Sequence, residues 1–280
     1  MATSVVIGAP DNLLKKLAFQ LLYWTGVVRL AAWLNRRRVV VLCYHGVTNR
    51  SVRHPDDPFG LHVREDRFRA HLDYLKRHYQ VISFRDYLRA RREGLDIPNY
   101  STVITFDDGH RNFYTAAAPL LDRYNMRAVM FLISDRIVDD GAGPQKWHES
   151  DDQKYLSWSE VHELMKDGFE FGSHTCSHQK LPQLAPRDVE HELRDSKTVI
   201  EQQLTRNNLP LAYPYGMTTD GIASLAASLG YSCAFTTATG FNDQSTHLFK
   251  LHRTLIGDDD NVAAFAARAA GLTGWLQTGD

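Results

Sequence analysis

Apolar residues fall into two patterns along this chain: short unbroken runs, and longer stretches in which they recur every three or four positions. Residues 39–44 (VVVLCY) are uncharged and rich in β-branched side chains, as expected of a strand buried on both faces. Similar runs at 102–106, 128–133, 169–173, 209–213, 232–237 and 249–256 bring the expected strands to about seven. Between and after them, helical periodicity marks 66–79, 84–92, 112–124 (with a kink at Pro119), 157–166, 186–204, 219–229 and 261–270. Ser157 with Glu160 three residues on is a capping box, and Asp167-Gly168 ends that helix. Residues 135–155, rich in Asp and Gly, read as a loop.

Strands alternating with helices predict an α/β fold with a parallel sheet and helices outside it. About seven strands is close to the number that closes a (β/α) barrel. Without a repeat or a linker, residues 39–280 read as one domain. Residues 1–38 are different. Residues 12–35 predict one amphipathic helix, carrying Leu21, Leu22, Trp24 and Trp33 between Lys15-Lys16 and Arg36-Arg37-Arg38. It could lie on a membrane surface or pack on the barrel. Arg29 interrupts its apolar run, which falls short of the roughly 20 residues a membrane span needs. No small-residue cleavage site follows, so a cytoplasmic location, or one on the inner face of a membrane, is expected over secretion.

Composition narrows the partner. In 280 residues, 32 Lys+Arg offset 33 Asp+Glu for a net charge of -1, so no global positive field draws in nucleic acid. A neutral carbohydrate or another uncharged substrate fits better. Cys43, Cys176 and Cys233 are widely spaced and predict free thiols, which mildly favours a reducing compartment.

Candidate chemistry clusters just after strands, where barrel enzymes place it. Thr105-Phe106-Asp107-Asp108-Gly109 sets two carboxylates side by side, a repulsive arrangement that a divalent cation relieves. An Asp-Asp-Gly turn that only caps a helix accounts for the motif equally well on its own. His174 and His178, in His-Thr-Cys-Ser-His, can converge on a metal, and two His with one Asp leave positions open for water and substrate. Cys176, between them, more plausibly packs inward. In Tyr213-Pro214-Tyr215-Gly216, Pro214 and Gly216 could hold the Tyr215 N–H where a tetrahedral oxyanion forms, although an ordinary turn explains the motif in isolation. His45, directly after the first strand, could protonate a leaving amine or serve as a structural residue.

Taken in order, TFDDG, HTCSH and YPYG resemble the polysaccharide deacetylases of carbohydrate esterase family 4. The resemblance extends over most of 39–256 and is nearest to the poly-N-acetylglucosamine deacetylases. It implies a distorted barrel of about seven strand–helix units and removal of an N-acetyl group from an amino sugar of a glycan. It further implies Asp107 as general base and Asp108, His174 and His178 as ligands of a divalent metal. Zinc is favoured, with cobalt, nickel and iron compatible. Tyr215 becomes the oxyanion donor and His45 the general acid, ahead of His252 in an imperfect late L-x-H motif. One departure stands out: where the family often has an arginine holding the base, this chain has Ala212, and Arg253 is the candidate replacement. A deformylase or deacylase of a small or lipid-linked amino sugar, or a non-catalytic glycan-binding barrel, are the alternatives. Oligomeric state is left open.

Overall fold

A computed structural model describes residues 11–49, 57, 60–138 and 154–272. The chain enters through α1 (Asp11–Trp24) and α2 (Val27–Leu34), then forms β1 (Val39–Tyr44), β2 (Gly46–Thr48), β3 (His62–Arg64), α3 (Glu65–His78), β4 (Gln80–Val81), α4 (Phe84–Glu93) and β5 (Ser101–Phe106). A π-helical turn at Phe113–Ala117 leads into α5 (Ala118–Arg123), then β6 (Ala128–Leu132), α6 (Trp158–Lys166), β7 (Glu170–Ser173) and α7 (Pro186–Leu204). β8 (Leu211–Ala212), α8 (Asp220–Ser228), β9 (Ala234–Phe235), β10 (Phe241–Asn242), β11 (Thr254–Leu255) and α9 (Val262–Ala269) complete the described fold.

β1, β5, β6, β7, β8 and β9 are parallel neighbours in that order. The ring closes through residues 251–255: Leu251 bridges Phe235 of β9, and Thr254 and Leu255 pair with Leu42 and Cys43 of β1. Every residue of β1, β5 and β6 is buried, because the barrel interior covers one face and the helices cover the other. Alternation sorts them. Val40, Leu42, Ile104, Phe106 and Met130 join the core under the helices. Val39, Val41, Val103, Val129 and Phe131 fill the barrel together with Phe84, Tyr87 and Leu88 of α4. The same alternation continues past β5 to point Asp107 into the barrel.

The expected strands are present, although those at 209–213, 232–237 and 249–256 pair over only a few residues each. β4 and the antiparallel β10, two residues each, extend the sheet beyond the expected set. The Ser157–Glu160 capping box forms in both directions. Most of the expected loop, residues 139–153, lies outside the described residues, as do 1–10 and 273–280.

One expectation is corrected. Residues 12–35 are not a single helix but two, bent by 71°. Gly26 takes φ of 83° at the break, a left-handed conformation that ends one helix and begins the next. Both pieces pack on α9, whose alanine-rich surface allows close approach. Phe19 and Val28 are buried there.

Candidate metal centre

Asp107 sits at the top of the barrel interior. Arg253 forks onto it, with Nη1 donating to Oδ1 (2.6 Å) and Nη2 to Oδ2 (2.7 Å), and the Cys43 thiol donates to Oδ2 from 3.5 Å. The guanidinium is itself buried and lies over the rings of Phe131 (5.5 Å) and Phe235 (5.8 Å). Burial alone would raise the Asp107 pKa. The Arg253 charge and hydrogen bonds outweigh it and hold the carboxyl at about 2.

Asp108 turns the other way. Its φ of 75° is left-handed, and Gly109 follows at 79°. Its Oδ1 lies 3.5 Å from His174 Nε2 and 3.6 Å from His178 Nε2, and this buried oxygen has no hydrogen-bond partner. Donors bonded at about 2.0–2.2 Å to a tetrahedral ion stand roughly 3.4 Å apart, so these three atoms fit a divalent cation. Among the described residues, no other group of three or more His, Cys, Asp or Glu side chains converges in this way. The His174 Nδ1–H donates to the Ala212 carbonyl (2.7 Å), which leaves Nε2 as a lone pair facing Asp108. Burial and the neighbouring His174 push His178 down to about 4, so its ring is neutral at ordinary pH.

The histidine loop is held from α7. The Ser177 backbone N–H (2.9 Å) and hydroxyl both donate to the buried Glu192 carboxylate. The hydroxyls of Ser173 and Ser196 are bonded at 2.8 Å, and Thr175 Oγ1 accepts from the His178 N–H at 3.2 Å. Thr175 (φ 68°) and His178 (φ 65°) are left-handed without being glycine, a cost of order 1–3 kcal/mol each that this network sustains. Cys176 points away from the cluster, its thiol directed to the His191 carbonyl at 3.9 Å.

Tyr215 reaches the same mouth. Its ring lies 4.7 Å from that of His178, and its φ is 57°. Gly216, at φ 69°, packs so closely on Thr237 that a Cβ would overlap it. His45 leaves β1 half-buried, with Nδ1 buried and unpartnered. Burial lowers its pKa, and the charges of Asp108 and Asp107 oppose that shift. His252 instead packs against Gly240, and its backbone N–H donates to Asn242 Oδ1 (2.9 Å). Sequence reasoning missed His110, whose Nε2 is 3.6 Å from Asp108 Oδ2, and His62, whose ring meets that of His110 at 4.9 Å. His110 directly follows the Asp-Asp-Gly turn and was findable there. His62 comes from β3, which carries no local signal.

Residues 96–234 match the family model described as polysaccharide deacetylase. The chain is similar to Bacillus subtilis YxkH, whose name assigns it to the polysaccharide deacetylases, at 25% identity over 85% of this chain and 79% of that one. It is 24% identical to a Staphylococcus aureus poly-beta-1,6-N-acetyl-D-glucosamine N-deacetylase over 70% of this chain and 68% of the relative. Its fold superposes on the Streptococcus pyogenes deacetylase PplD, solved with acetate, with a TM-score of 0.71 and 26% identity, covering 83% of this chain and 98% of PplD. Motif order, barrel and matched segment agree: residues 96–234 match the polysaccharide deacetylase model, and the chain is similar along most of its length to polysaccharide deacetylases.

Proposed function

We propose that this chain removes N-acetyl groups from the amino sugars of an oligo- or polysaccharide, with Asp108, His174 and His178 holding zinc. The observation that carries the reading is the pairing of an unpartnered Asp108 Oδ1 between two imidazole nitrogens with an Asp107 held ionised beside it. A divalent ion supplies Lewis acidity toward an acyl oxygen and water. Nitrogen and oxygen donors suit zinc, and cobalt, nickel or iron would also fit.

Asp107 takes a proton from the attacking water. With its carboxyl near 2 it is a weak base, so its orientation by Arg253 matters more than its proton affinity. The Tyr215 N–H is assigned to the oxyanion as the carbonyl becomes tetrahedral. His45 delivers a proton to the sugar nitrogen as the C–N bond breaks. The water oxygen leaves in acetate, and the proton held on Asp107 returns to His45 to reset the site.

The test is acetate release from N-acetylglucosamine oligomers by metal-loaded protein, with a chelator control. Acetate release that stops with chelator supports the reading; none from any N-acetylated glycan sinks it. Formate release, or activity confined to lipid-linked sugars, would favour a second reading. The apolar N-terminal helices are the observation that motivates it.

A further inference from the structure

Of the twelve large hydrophobic side chains that stand exposed among the described residues, eight lie between Leu14 and Leu34. Leu14, Leu17, Leu21 and Trp24 follow i, i+3, i+7, i+10 spacing and form one stripe of α1, opposite the buried Phe19. Val27, Leu30 and Leu34 form the corresponding stripe of α2, with Trp33 at its margin and Val28 buried beneath. Trp24 is 78% exposed.

These helices are already docked on the barrel. Phe19 and Val28 sit in the main core, Tyr23 meets Tyr74 at 6.5 Å, and Asn35 Nδ2 donates to the Ala270 carbonyl at 3.5 Å. The outward stripe is therefore surplus to folding. Large apolar patches on a folded surface mark an interaction site.

Charge decides the partner. Residues 12–38 contain Lys15, Lys16, Arg29, Arg36, Arg37 and Arg38 and not one acidic residue, in a chain whose net charge is -1. Arg36 stacks 4.5 Å over the Trp33 ring, an amphipathic pair suited to a headgroup boundary. Arg38 is paired with Asp243 at 3.3 Å, but the other cations leave the patch net positive, so a second copy of this chain would set like charge against like, which opposes docking. An anionic lipid surface satisfies both the apolar stripe and the cations. No single described helix is long and apolar enough to cross a membrane, and α1 and α2 are bent by 71° relative to each other.

We propose that α1 and α2 form a bent amphipathic platform that seats the barrel on an anionic bilayer surface, with Leu17, Leu21, Trp24, Leu30 and Trp33 in the headgroup boundary. The claim is independent of the reaction catalysed.

The test floats the full chain with vesicles of phosphatidylcholine, with and without phosphatidylglycerol. Binding should need the anionic lipid and weaken at least tenfold in high salt. The exposed substitutions Leu17→Glu, Leu21→Glu and Trp24→Glu together should abolish flotation while leaving the melting temperature within a few degrees. A milder variant, Arg29→Gln with Arg37→Gln, should weaken binding several-fold without touching the apolar stripe. The proposal is overturned if the wild type does not float, or if the triple variant floats equally well. Resistance to alkaline extraction, indicating a span, or a lipid-free dimer that the triple variant abolishes would also overturn it.

Discussion

Arg253 and Asp107, 146 residues apart in the chain, meet through two parallel hydrogen bonds of 2.6 and 2.7 Å inside a barrel that buries both. The pair ties the closing segment, next to β11, to the C-terminal end of β5, where the candidate site lies. It also explains how the chain manages with Ala212 in place of the family's arginine: the cation arrives from a different strand and reaches the same carboxylate. A bidentate fork fixes both the charge and the plane of the carboxyl group.

Arg253→Lys should therefore keep the charge and lose the geometry. Turnover should fall on the order of 10²-fold with little change in KM, because misplacing the proposed base by about 1 Å costs that much. Arg253→Met should be worse, since a buried carboxylate left alone costs about 3–5 kcal/mol of stability. Steady-state kinetics and urea denaturation of the two variants check this. A lysine variant with wild-type kcat would show that Asp107 needs only a nearby charge.

Asp107 and Asp108, adjacent in sequence, are predicted to separate cleanly. Asp107→Asn should retain metal and lose about 10²–10⁴-fold in turnover. His174→Ala should lose metal and activity together, since its Nε2 faces Asp108 Oδ1 at 3.5 Å. Elemental analysis beside acetate release on each variant makes the comparison.

Glu192 offers a test at one remove from the proposed ligands. It touches neither Asp108 nor the imidazoles, but it binds the Ser177 backbone and hydroxyl between them. Glu192→Ala should loosen the left-handed turn at His178 and weaken metal affinity about 10–100-fold, as loss of outer partners commonly does. Competition with a chromogenic chelator measures it. Saturating metal should restore most of the activity, which a ligand variant would not permit.

Much of this was legible beforehand, for physical reasons that differ by element. β1, β5 and β6 announce themselves because strands buried on two faces must be continuously apolar. The Asp107–Gly109 and His174–His178 segments stand out because their chemistry is local in sequence. The break at Gly26 was not legible, since one glycine inside an apolar run fits a continuous helix as well as a bend. β10 escaped because two residues, Phe241 and Asn242, carry no periodicity and pair only through long-range contact with Val39 and Val40. The roles of His62 and His110 depend on β3 being folded back beside the Asp108 turn, which no local pattern encodes.

The last prediction concerns a histidine outside the metal centre. His71 of α3 is fully buried, stacked on Phe265 at 4.1 Å. Its Nε2–H donates to the Asp260 carbonyl (2.7 Å), and its Nδ1 faces the Tyr44 hydroxyl at 3.3 Å. Burial lowers its pKa from 6.5 to about 4, a shift that the Asp260 carbonyl and charge and the Asp258 charge oppose and the Arg67 charge assists. The unfolded chain thus binds a proton near pH 6.5 that the folded chain refuses until about pH 4. Stability from this residue is complete above pH 6.5 and declines as pH falls toward 4, by about 3 kcal/mol at most. His62 and His178 are depressed as well and add to the same acid limb, so the wild type alone cannot assign it. His71→Gln leaves both unchanged and cannot titrate. Denaturant unfolding of wild type and variant between pH 7 and 4 should show the variant losing less stability over that interval, and parallel curves would place the acid sensitivity elsewhere.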